Sequence, residues 1–174
     1  QVLMNYKGMG SLRSMSNLYE WFDALDFYNS LYEKHTGSEK YRIGCLIYST
    51  FFESSDFYNI IGSLCRIQMG FRSSSYLFFK TKKYERLLGT GEKIGMISEL
   101  LEDSQNHEIL KFFNENHFKE IRNTFFHSAY TIIDDSYQLF DSEPIVIGGI
   151  GKRYFDINEF LLPKISNILE FFHQ

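Results

Sequence analysis

Within six residues, Arg122-Asn123-Thr124-Phe125-Phe126-His127, the chain places a guanidinium, a carboxamide and an imidazole. An imidazole titrates near neutral pH and can move protons in both directions. A guanidinium never loses its charge and donates to two oxygens of a phosphate at once. A carboxamide either orients the imidazole or donates to the phosphate itself. Together these groups suit acid–base chemistry at a phosphate ester, with a proton taken from an attacking hydroxyl, negative charge held at phosphorus and a proton given to the leaving oxygen. The plainer alternative stays open: Arg122 pairs with an acid such as Glu53 or Asp56, and His127 is a satisfied core histidine.

The element that must position these groups reads as one long helix over residues 107–136. Leu110, Phe113, His117, Ile121, Phe125, Ser128 and Ile132 recur every three or four residues, with Phe112, Phe118, Phe126, Ala129 and Ile133 beside them. So apolar a helix belongs near the centre of a bundle. On it Asn123 and His127, at i and i+4, can meet, whereas Arg122 and His127 flank a broad face about 140° apart. A second copy across a two-fold axis would bring each group into a shared cleft.

At these residues the chain resembles the HEPN superfamily of helical bundles, many of whose members are metal-independent RNases. Its mark is an arginine, a following polar residue that is often asparagine, and a histidine four to six positions on, matched here by Arg122, Asn123 and His127. The resemblance implies a homodimeric endoribonuclease with RNA as its partner, no cofactor, and a composite site at the dimer interface. In it His127 is general acid or base, Arg122 the phosphate clamp and Asn123 their assistant, and the products are a 2′,3′-cyclic phosphate and a 5′-hydroxyl. It also points to a bacterial defence or stress system. In a toxin branch of the family a tyrosine follows the histidine by two positions; here that position is Ala129 and the tyrosine is Tyr130. An antitoxin is therefore not indicated. A HEPN-like dimeric binding or assembly module without turnover is the competing class.

The rest of the chain predicts an all-α fold, an antiparallel bundle of about five to six helices with a small β-hairpin or flap at about 137–156 before the last helix. The length of 174 residues suits a single domain. Hydrophobic residues make up 44%, with 18 Phe and 12 Tyr, so some apolar surface is expected to face another subunit. A net charge of -4 argues against holding nucleic acid through the overall field. Cys45 and Cys65 show no metal-ligand or disulfide spacing, and neither a signal peptide nor a membrane-spanning run is apparent, so a cytoplasmic protein is expected.

In order, residues 1–15 read as an arm. A first helix starts at Ser16 or Asn17 as N-cap and ends at Gly37, and a second runs over 39–68 to a stop at Gly70. Residues 66–86 interleave Arg66, Arg72, Lys80, Lys82, Lys83 and Arg86 with aromatic residues, as a single-stranded RNA groove does. Lys80, Lys82, Lys83 and Arg86, with Tyr130, are the candidate substrate-binding residues; the alternative is an amphipathic helix with a wet lysine face. Gly89 to Gly95 reads as a helix C-cap and loop, and a short helix follows from Ile94 to Leu101. His107 and His117 are expected to be structural or at the surface. Short β-prone runs at Tyr137 to Phe140, Ile145 to Ile147 and Arg153 to Asp156 precede a helix over 158–172 that begins or kinks at Pro163.

Overall fold

The structure, a computed structural model, describes residues 12–72 and 88–173. Over these the chain is mostly helical with a small antiparallel sheet. The helices are α1 (Leu12–Tyr32), α2 (Gly37–Glu53), α3 (Ser55–Gln68), α4 (Thr90–Asp103), α5 (His107–Asn116), α6 (Lys119–Phe126) and α7 (Leu162–His173). The strands are β1 (Tyr130–Ile133), β2 (Ser136–Leu139), β3 (Ile145–Ile147), β4 (Ile150–Lys152) and β5 (Tyr154–Asp156). Two compact units emerge, Gln1–Phe22 with Glu53–Glu115 and Asp23–Phe52 with Asn116–Gln174. Among the described residues no helix is long and apolar enough to cross a membrane.

In the first unit Trp21 stacks on Phe57 at 5.1 Å, and Phe113 tilts against both Phe57 and Tyr58. Ile61, Ile97 and Leu101 complete this buried cluster. Polar latches join α3 to α4 and its end: Lys93 Nζ donates to Ser55 Oγ, and Gln68 Nε2 donates to the Ser104 carbonyl at 3.1 Å. The helix expected over 39–68 is two. Ser54 leaves helical geometry and its Oγ accepts the Phe57 N–H at 3.2 Å, so an internal N-cap interrupts an apolar pattern that runs straight through it. Gly70 ends α3 as expected, at φ +81°, where the Phe71 N–H returns to the Arg66 carbonyl at 2.8 Å.

Three other expectations about helix ends are corrected. The first helix is already running at Leu12, so Ser16 and Asn17 lie inside it, and it ends at Tyr32, while Gly37 opens α2. The glycine-rich stretch is a helix start: Gly89 is the N-cap of α4, and its N–H donates to Glu92 Oε2 at 2.9 Å. The acid three residues on outweighs the poor helix propensity of Gly91 and Gly95. Lys80, Lys82, Lys83 and Arg86 lie outside the described residues.

In the second unit α2 is the core element, with Cys45, Ile47, Tyr48, Phe51 and Phe52 fully buried. Gly44 permits its close approach to α7, because a Cβ there would stand 2.5 Å from Ile165 Cδ1. The sheet runs β1-β2-β5, with Tyr137 opposite Phe155. Tyr130, Tyr137 and Phe155 stack nearly parallel on its inner face at 5.0 and 5.1 Å. A separate hairpin, β3–β4, turns on Gly148 and Gly149, both at positive φ as a two-residue turn requires. The β structure is thus larger than the hairpin expected at 137–156, and it starts at Tyr130. Before α7, Asp156 Oδ1 accepts the Glu159 N–H at 3.0 Å and caps a π-helical turn, Ile157–Leu161. Pro163 is the second residue of α7, directly after that π-helical turn, so the α-helix proper begins there.

Candidate active site

The long helix expected over residues 107–136 is broken into α5, α6 and β1. The buried hydroxyl of Tyr48, on α2, splices the first break. It donates to the Asn116 carbonyl at 2.7 Å and accepts the Phe118 N–H at 2.6 Å, satisfying both backbone groups that the interruption exposes. The second break is a left-handed cap. His127 is the C-cap of α6, and Ser128 takes φ +54°. The Ser128 N–H returns to the Phe125 carbonyl at 3.2 Å and the Ala129 N–H to the Thr124 carbonyl at 2.8 Å, the paired bonds of a Schellman motif. The chain then leaves as a strand.

Arg122, Asn123 and His127 therefore sit on an eight-residue helix with the imidazole exposed at its C-terminal end. Thr124 fixes the helix from beneath: its buried Oγ1 donates to the Glu120 carbonyl at 2.7 Å and pairs with the Tyr137 hydroxyl at 3.0 Å. Arg122 is half-buried, with Nη1 donating to Asn123 Oδ1 at 2.6 Å and its plane 5.7 Å from the Phe126 ring centre. A guanidinium only donates, so it fixes the carboxamide with its oxygen toward Arg122 and its NH2 turned away.

Lys119, Asn123 and His127, spaced i, i+4 and i+8, form one stripe of α6 that lines a cleft of about 430 Å³. Glu120, Thr124 and Ala129 also line it, and the loop residues Asp141, Ser142 and Glu143 complete it. Lys119 Nζ lies 3.8 Å from Glu120 Oε1, and Asp141 and Glu143 add two further acids to the lining of the cleft. The structure brings Asn123 and His127 to one cleft and ties Arg122 to Asn123. Arg122 itself does not line the cleft.

Tyr130 is not on the motif helix. It opens β1, its ring lies between Tyr137 and Phe125 at 5.0 and 5.4 Å, and burial raises its hydroxyl pKa. His117 occupies the break before α6 with its ring against Phe52 at 5.1 Å. Burial, and secondarily the charge of Arg122, lowers its pKa to about 4, so it is neutral at pH 7. Sequence reasoning missed Asp141, Ser142 and Glu143. Their only signal was the Asp-Ser-Glu-Pro turn, which marks a loop and not its neighbours. Among the described residues no group of three or more His, Cys, Asp or Glu is placed to hold a metal ion. The chain matches no protein-family profile, no curated protein and no solved structure.

Proposed function

We propose that the chain is a HEPN-like endoribonuclease, working as a homodimer in which Arg122 and His127 of two protomers form one composite site. The observation that carries this reading is the exposed imidazole of His127 at the end of α6, sharing a cleft with Asn123, which in turn holds the Arg122 guanidinium at 2.6 Å. Phe126, half exposed between the two functional residues, offers apolar surface to a second copy.

In this reading one imidazole takes the proton of the 2′-hydroxyl, whose oxygen attacks phosphorus. Arg122 holds the non-bridging oxygens as charge builds on them, and an imidazolium gives its proton to the departing 5′-oxygen. A 2′,3′-cyclic phosphate and a 5′-hydroxyl result. A bacterial defence or stress role and a cytoplasmic setting go with the family resemblance.

A non-catalytic binding or assembly module is the second reading, favoured by one observation: Glu120, Asp141 and Glu143 surround the cleft and repel a phosphate. Incubation of the purified protein with mixed RNA in EDTA separates the two. The ribonuclease cleaves and leaves 2′,3′-cyclic ends, and both Arg122→Ala and His127→Ala lose at least about 100-fold while staying folded and dimeric. Intact RNA with the parent protein, across single-stranded and structured substrates, selects the binding module.

A further inference from the structure

The three-stranded sheet has a second, outer face. Tyr137, Leu139 and Phe155 are buried, so by strand alternation their neighbours Gln138 and Tyr154 point the other way. The register sets Thr131, Gln138 and Tyr154 side by side across all three strands. Tyr154 is 67% exposed and Phe140, at the end of β2, 47%. These are large rings for a surface that no other part of the second unit covers at those positions.

Lys152, Arg153 and Tyr154 are consecutive and all exposed, a cation pair beside a ring. Arg153 is held in place: its carbonyl accepts the Leu139 N–H at 2.8 Å, and its Nη1 donates to the Ser142 carbonyl at 3.1 Å. Its guanidinium therefore lies along the same loop whose Asp141 and Ser142 line the His127 cleft. A groove lined by Gln138, Leu139, Phe140, Asp141, Arg153 and Tyr154 shares Asp141 with the lining of that cleft.

We propose that this outer sheet face is a single-stranded RNA subsite continuous with the cleft, in which Tyr154 and Phe140 stack bases and Arg153 binds a phosphate. The proposal rests on the ribonuclease reading and says where the strand runs outside the scissile phosphate. Exposed rings alternating with cations are the chemistry that single strands meet, since every base has a stacking face and every nucleotide one charge.

The test uses a 2′-O-methyl oligoribonucleotide of about a dozen residues, which lacks the attacking hydroxyl and reports binding by fluorescence anisotropy. Tyr154→Ala weakens binding about 10-fold, whereas Tyr154→Phe, which keeps the ring, stays within about twofold of the parent. Arg153→Ala makes the affinity less salt-dependent, lowering the logarithmic slope by about 0.7. In cleavage, Tyr154→Ala raises KM for a long substrate and leaves turnover of a dinucleotide unchanged. Unaltered affinity in Tyr154→Ala, Arg153→Ala and their double variant overturns the subsite while leaving the ribonuclease standing. So does a double variant that binds RNA normally and sediments as a monomer, which would make the face a protein interface. A parent protein that neither binds nor cleaves any RNA overturns both readings together.

Discussion

At position 122 the shape of the side chain matters as much as its charge. The guanidinium is a planar fork of five donors, one of which goes to Asn123 Oδ1, a geometry that a single ammonium cannot reproduce. Arg122→Lys is therefore expected to keep no more than about a tenth of the cleavage rate, measured on the same RNA as the alanine variant. His117 has a different consequence, one of stability. In the unfolded chain it takes up a proton near pH 6.5, but in the folded protein only near 4. Between these values the unfolded state binds more protons, so the protein loses stability as pH falls through that window and keeps it in full above. The loss is on the order of 2 kcal/mol. Urea midpoints between pH 7.5 and 4.5 check this: His117→Gln should flatten part of the slope seen in the parent.

At the scale of elements, the site depends on where α6 begins and ends. Tyr48→Phe would remove the hydroxyl that bonds the Asn116 carbonyl and the Phe118 N–H, at a cost of roughly 2 kcal/mol, and would loosen the start of α6. Chemical denaturation reads the first effect, and a fall in cleavage by protein that is still folded reads the second. Ser128→Gly should do the reverse. Glycine takes the left-handed cap without the Cβ penalty, so the unfolding free energy should rise by about 1 kcal/mol. These two breaks also explain what the sequence hid. The apolar period runs unbroken from Leu110 through Phe125, and the hydroxyl that interrupts it lies some seventy positions away in the chain. Gly70 announced the end of α3, but Ser128, in the same conformation, announced nothing, and so β1 was read as helix. The turn at Gly148 and Gly149 was legible because glycine is the residue it demands, but β4, which follows it, falls between the β-prone runs read from the sequence. The motif itself was legible as chemistry. The cleft was not, because a third of its lining residues come from a loop whose place beside α6 is fixed by tertiary packing.

For the molecule as a whole, a composite site makes a quantitative demand. In the proposed dimer, Arg122→Ala and His127→Ala are each expected to be inactive, but a mixed dimer keeps one Arg122 and one His127 across the interface. Equal parts, exchanged to equilibrium, make half of the dimers mixed and should regain at most about half of the parent activity, whereas a site built within one protomer would regain none. The same mixing on a column that resolves labelled dimers checks that exchange took place. The two compact units are each assembled from two separate stretches of chain, so neither can be cut out as one continuous fragment. They also differ in their chromophores. Trp21 is the chain's single tryptophan and stacks on Phe57 in the first unit, whereas Tyr130 and Tyr137 lie 5.0 Å apart and 5° from parallel in the second. Indole emission thus belongs to one unit, and the near-ultraviolet dichroism of a coupled tyrosine pair to the other. The chain carries its own two-colour readout of whether the half that holds His127 melts alone.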